Sequence, residues 1–549
     1  MSFYDKLKSS FAKSKFKTQI SKFWYWTSNV SRLKYLLLVY FLIILISSLL
    51  LYSPYTQAVK PEDRISYLDA VFTTASAFSD TGLVVKNTFE HWNIFGQAII
   101  AILILCGGVG IFALKFFIIN YILGKRSSTI GDMMLLQTER GSTDERQTTK
   151  LIIASVKFLF ITIFIFSIIL SVYFYATPIK TTVGIKNELV NNGWNIEANQ
   201  PLHNWKLAIR YGVFHTISAI NNAGFDIISG NSLMPYYQDY FLQICFIILL
   251  IIGGIGYPVI YDIRCYIRHK IKHKAKRYRF SLFTKVSLLI YVLVFLGGFI
   301  TTLLFEIYSK ADFTIWNKQY VDLATGKISS YYGSSFDKTF AILFTSLSTR
   351  SAGFATVNMD DFTPSSKIVY VIMMVIGAAP ASTGGGIRTT TFGIFIMSII
   401  SMLAGWPRVR MFQRAIIPET VSRSSRVIGI ALVILITATV ICSTSLATFN
   451  PSSASLHETK TLPELDGNKV KVITDKFSSV DVLFEVASAF GTTGLSSGIT
   501  SSLNAFSKIT IIVVMFIGQF GISSTLLVWQ RKKNRKQKFE YVDSDLAIG

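Results

Sequence analysis

Four glycines define the chemistry open to this chain. Gly82, Gly224, Gly353 and Gly494 are separated by 142, 129 and 141 residues. Each follows a run of small and polar residues and precedes a bulky apolar one. The segments are TTASAFSDTGL (73–83), HTISAINNAGF (215–225), FTSLSTRSAGF (344–354) and FEVASAFGTTGL (484–495). Turning a main-chain carbonyl toward an axis needs alternating backbone conformations, some at positive φ, and glycine adopts these at low cost. The small residues before it leave room for four strands to meet. Such a ring replaces the water shell of a cation with fixed oxygen dipoles. A short helix ending at each loop would add the negative end of its dipole, roughly half an elementary charge.

The elements needed to hold such loops are legible around them. Long apolar runs occupy 35–51, 98–119, 151–173, 240–252, 286–305, 368–376, 428–441 and 509–517. Several reach or approach the roughly 20 residues that cross about 30 Å of hydrocarbon. The amphipathic stretches 67–78 and 480–490 are too short to cross and fit elements that enter and return. Irregular backbone at that depth is tolerated only where it faces protein or water. The expected fold is an all-α integral membrane protein of four fused helix–pore loop–helix repeats. It has eight full spans, four re-entrant half-helices and pseudo-fourfold symmetry. The repeats are placed at 34–120, 151–265, 281–405 and 425–530, between a basic N-terminus (1–33) and a basic tail (531–549).

Composition agrees. The chain of 549 residues is 51% hydrophobic and 15% charged, with a net charge of +23. The charge is clustered: the first 34 residues carry eight Lys/Arg, 264–279 another eight, and 531–538 six, while 177–206 and 448–476 are mixed in sign. That asymmetry places both termini in the cytoplasm with an even number of spans, and it argues against nucleic acid as the partner. Cys106, Cys245, Cys265 and Cys442 show no metal or disulfide spacing. The histidines lack ligand spacing, and no paired carboxylates or nucleophile motif point to an enzyme.

Three second spans carry glycine clusters, at 107–110, 253–256 and 518–521. These suit close helix packing, with a hinge or a narrow pore lining as the alternative. The third repeat differs. Its second span is interrupted at 376–388, IGAAPASTGGGIR, where Pro380 and Gly384-Gly385-Gly386 cannot continue a regular helix. One broken span is therefore expected, as a loop crossing beneath the ring. The glycine triplet lacks the lysine of a phosphate cradle.

The segments SAINNAGFD (218–226), STRSAGF (348–354), FEVASAFGTTGLSSGIT (484–500) and ASTGGGIRTTTF (381–392) resemble those of the Trk/Ktr/HKT superfamily of potassium-translocating membrane proteins, most of all the Ktr-type ion-translocating subunit. The similarity covers about 30–530. It implies that potassium meets carbonyls of Asp80 and Thr81, Asn222 and Ala223, Ser351 and Ala352, and Thr492 and Thr493, with the four glycines. Retention of Gly82, where a sodium-permeable branch has serine, favours potassium. The resemblance further implies a gate at Gly377–Arg388, including Pro380 and the glycine triplet. It also implies a homodimer in the cell membrane docked on a cytoplasmic ring of RCK-type nucleotide-binding subunits, with no cofactor in this chain and sodium dependence left open. Two positions depart from the family: Gln519 stands where an arginine is common, and Asp80 where an apolar residue is usual. Asp80 is expected to pair with a loop donor, or else to attract cations behind the filter; Arg350 to brace its half-helix end, or else to act in gating; and Arg388 either to contact the gate or to reach the interface. The alternatives carried forward are an ion-coupled solute symporter and a membrane enzyme.

Overall fold

The computed structural model describes residues 32–110, 113–114, 117, 145–272, 278–321, 328–446, 457–462, 470–475 and 477–522. The basic N-terminus up to residue 31 and the tail beyond 522 lie outside the described residues. The described residues are helical, with three two-stranded antiparallel hairpins among them confined to the links.

Among the described residues, four helices are long and apolar enough to cross a membrane without interruption: α1 (Arg32–Tyr52), α4 (Glu145–Ala176), α8 (Leu282–Tyr308) and α12 (Pro418–Ser443). They form the periphery. Their outward faces expose side chains such as Phe41, Phe164 and Val433, the pattern expected when the surrounding solvent is lipid.

Inside them stand four half-helices: α2 (Tyr67–Phe78), α5 (Trp205–Ile220), α9 (Ser335–Ser348) and α13 (Ser479–Gly491). Each begins with a side-chain cap, from Ser66, Asn204, Ser334 and Ser478 respectively, that accepts a backbone N–H of the first turn. Caps satisfy amides that lipid could not. The C-terminal half of each half-helix is buried, which fits elements that project inward.

The second helices are α3 (Ile94–Val109), α6 (Tyr240–Gly254), α10 (Pro364–Val375) and α14 (Ala505–Phe520). All are short, and all stop near the same place. Gly110, Gly256 and Gly521 adopt φ of 85°, 87° and 80°, and Pro380 holds the matching position in the third repeat. α6 turns by 101° into α7 (Tyr257–Lys272), and α10 resumes only as α11 (Thr389–Leu403). The single broken span read from sequence is therefore corrected: among the described residues two second helices are interrupted, α6 at Gly256 and α10 at 376–388, while α3 and α14 end at Gly110 and Gly521. The basic stretch at 264–272 is the second half of α7. It is tied to the start of α8 through Asp262, which accepts bonds from Tyr278, Ser281 and Thr284.

Each second helix packs against the half-helix of the next repeat, and the last packs against the first. A polar contact marks each junction. Arg210 Nε donates to Gln97 Oε1 at 2.9 Å, Tyr240 donates to Asp337, Lys367 Nζ reaches Asp481 at 2.6 Å, and Lys508 Nζ reaches Asp69 at 2.7 Å. The closing contact, Lys508 to Asp69, joins residues 439 apart in sequence. Lys367→Met is expected to lower stability by about 3 kcal/mol, because it strands Asp481 in a site with little water. Thermal unfolding of the purified protein, followed by size exclusion, reads this; an unchanged midpoint would show that the junction carries no stability.

Candidate functional site

The half-helices deliver their four loops to one place. Gly82, Gly224, Gly353 and Gly494 have φ of 84°, 68°, 75° and 87°. A Cβ on Gly82 would lie 2.3 Å from the carbonyl oxygen of Ala223. One on Gly224 would lie 3.0 Å from that of Ala352, one on Gly353 2.3 Å from that of Thr493, and one on Gly494 2.2 Å from that of Thr81. The contacts run from repeat one to two, three, four and back to one. They form a closed ring of main chain in which no glycine has space for a methyl group.

The residue two before each glycine is also left-handed: Asp80, Asn222, Ser351 and Thr492 have φ of 50°, 56°, 68° and 47°. The sequence called for alternating conformations but assigned the positive φ only to the glycines. Asp and Asn at two of the positions were the available signal, because both tolerate that conformation better than most residues. The middle residues Thr81, Ala223, Ala352 and Thr493 are fully buried or nearly so, and they own the four ring oxygens.

On one side the ring opens into a cavity of about 370 Å³ lined by all four glycines together with Asp226 and Asp360. Two loops leaving the ring are fastened by residues not singled out from the sequence. His215 Nε2 lies 2.9 Å from Asp226 Oδ1, and Glu485 accepts from the hydroxyls of Ser496 and Thr500. His215 and Glu485 each stand nine residues before the loop glycine, and Asp226 and Ser496 two after it. The pair is thus one repeated position seen in two repeats.

Behind the ring, the first glycine of each cluster abuts the end of the half-helix. A Cβ on Gly107, Gly253 or Gly518 would meet the carbonyl oxygen of Phe78, Ile220 or Phe490 at 2.0–2.3 Å. Close packing is therefore the role these clusters fill.

The 376–388 segment lies directly under the loops. Gly385 N donates to Thr492 Oγ1 at 2.8 Å, and Gly386 N to the Gly518 carbonyl at 3.2 Å. On the other side, Ala379 N and Thr383 N donate to the carbonyls of Gly254 and Gly253. The segment thus reaches from repeat two to repeat four. A Cβ on Gly384 would lie 2.6 Å from the Ser351 side chain, and one on Gly377 would strike the Gly385 carbonyl. Pro380 sits where the segment turns past Gly256. Two arginines hold it. Arg350, fully buried over the Tyr291 ring, donates to the carbonyls of Met373, Ile376 and Gly377. Arg388 donates to Gly384 and, at 2.8 Å, to the Gln519 carbonyl.

The two sequence departures prove to be one contact. Gln519 Nε2 donates to Asp80 Oδ2 at 3.3 Å and to the Thr383 carbonyl at 3.0 Å. The amide joins the first loop to the crossing segment.

Comparison with known proteins bears on the family and the fold. A family model described as a cation transport protein, TrkH, matches residues 17–458 and 465–541. The chain is 31% identical to the Ktr system potassium uptake protein D of Bacillus subtilis, over 93% of this chain and 96% of that one. It is 30% identical to an uncharacterized cation transporter of Mycoplasma genitalium, over 88% of each. The crystal structure of the potassium transporter TrkH from Vibrio parahaemolyticus superposes with a TM-score of 0.58 at 16% identity, covering 92% of this chain and 86% of that one. At that identity the likeness speaks for the fold.

Proposed function

Because this chain belongs to the TrkH family of cation transport proteins, as a Ktr-type membrane subunit, we propose that it carries potassium into the cell through the ring of four loops. The observation that carries the reading is the closed cycle of contacts among Gly82, Gly224, Gly353 and Gly494. A potassium ion enters from the cavity bearing Asp226 and Asp360, whose charges favour a cation. It exchanges water for the carbonyls of Thr81, Ala223, Ala352 and Thr493 and for those of the preceding Asp80, Asn222, Ser351 and Thr492. The four half-helix ends add their dipoles. The protein is read as a homodimer in the cell membrane, its termini cytoplasmic, its regulation exerted by an RCK-type ring of nucleotide-binding subunits, and sodium acting as a second ion if transport is coupled. The alternative is an ion-coupled solute symporter.

The test is potassium and rubidium uptake by a transport-deficient cell expressing the chain, with and without external sodium. Uptake that is selective against sodium supports the reading. A correctly inserted protein that passes neither ion overturns it.

Gln519 bears on the barrier beneath the ring. In place of the family arginine it is neutral, and its partner is an acid. Gln519→Arg is expected to leave uptake little changed, because the new cation meets Asp80. The same substitution over Asp80→Asn leaves a buried charge without its partner, and uptake should fall by roughly tenfold, within the coupling range of contacting residues. A double-mutant cycle on initial uptake rates checks this; equal effects of the arginine in both backgrounds would mean that the two positions act independently.

A further inference from the structure

A second site lies away from the ring, on the outer surface of the junction between repeats one and two. There α3 and α5 flank a groove of about 720 Å³. Its floor and walls are apolar, with Ala98, Ala101, Ile102, Val213, Phe214 and Ile217 along its length. Ile102, Ile209 and Val213 are exposed. Its other end is cationic. Lys206 and Arg210 line it, and no carboxylate does.

Arg210 is set rather than loose. Gln97 spends its Nε2 on the carbonyls of Thr88 and Trp92, which leaves its Oε1 to hold Arg210 Nε at 2.9 Å. Neither Nη of Arg210 has a protein partner among the described residues. The cations sit in the first turns of α5, beside Trp205, which is half exposed and stacked on Tyr175 at 4.1 Å. Aromatic residues of this kind mark the membrane–water interface. From Arg210 to Ile217 the helix descends about 10 Å into the apolar layer.

We propose that this groove binds an anionic phospholipid of the outer leaflet, with its phosphate on Arg210 and Lys206 and one acyl chain along Ala98, Ala101 and Phe214. The guanidinium and ammonium match a phosphate, and the helix N-terminus adds to the attraction. A second copy of the chain fits poorly, because a twofold contact here would oppose the same two cations. The groove also borders α5, which leads into the loop of Asn222 and Gly224, and Ile227 beyond that loop lines it. A bound lipid would therefore brace the second loop.

Native mass spectrometry of the full-length purified protein, titrated with phosphatidylglycerol or phosphatidylcholine of identical chains, tests the site. The wild type should retain phosphatidylglycerol in preference. Lys206→Gln, which leaves the Gln97 contact intact, should weaken phosphatidylglycerol about fivefold, and adding Arg210→Gln should weaken it about fivefold again. Phosphatidylcholine, whose choline offsets the charge of the same phosphate, should weaken less than phosphatidylglycerol in both variants. Ala101→Trp, which fills the groove, should reduce binding of both lipids. Phosphatidylglycerol binding that survives all three variants overturns the proposal. So does a change in the number of copies per particle on charge removal, which would make the groove a protein interface.

Discussion

Gly494→Ala is expected to cut potassium uptake by about tenfold or more while the protein still reaches the membrane. Two effects act together. The residue has φ of 87°, where an alanine costs roughly 1–2 kcal/mol. Its Cβ would also lie 2.2 Å from the Thr81 carbonyl oxygen, so the ring can accept it only by displacing the oxygen proposed to meet the ion. Gly405→Ala separates the two effects. Gly405 has φ of 66° but nothing within 4 Å of an added Cβ, and the change there should leave uptake close to that of the wild type. Rubidium uptake at matched surface expression makes the comparison. If the two alanines behaved alike, backbone strain alone would account for the loss, and the ring would have no special standing.

Removal of residues 378–385 is expected to raise potassium flux by about tenfold, because a shift of that size in an open–closed equilibrium needs only ~1.4 kcal/mol. The segment is held beneath the loops by main-chain bonds to Gly253, Gly254 and Gly518 and by the bond to Thr492. Deleting it removes the segment that we propose obstructs the path beneath the ring. Arg388→Gln is the milder form: it releases Gly384 and the Gln519 carbonyl and should raise flux less. Flux through reconstituted vesicles, with thermal unfolding to show that each variant is folded, reads both. A folded deletion whose flux equals that of the wild type would show that the segment is a floor and not a gate.

Much of the architecture was legible in the chain because lipid imposes simple rules. The half-helix read at 67–78 is Tyr67–Phe78 in the structure, and the one read at 480–490 is Ser479–Gly491. A run too short to span, bounded by a serine cap and a loop glycine, leaves few other ways to satisfy its backbone. The interruption at 376–388 was equally plain, since proline and consecutive glycines cannot continue a helix. The matching helix ends at Gly110, Gly256 and Gly521 were not. A lone glycine serves packing and positive φ equally well, and only the surroundings decide between them.

The sequence by itself determined that four loops of one kind exist, that each follows a short helix, and that glycine is required at the turn of each. It did so because helix length, capping and the φ preference of glycine are properties of a few adjacent residues. Tertiary structure alone decided that Gly494 closes the ring on Thr81, that Asp80 meets Gln519 across 439 residues, and that Gln97 fixes Arg210 at the head of a groove. Those contacts join residues far apart in the chain. Their physical origin is the packing of each second helix against the next half-helix, a relation that no local pattern of residue types encodes.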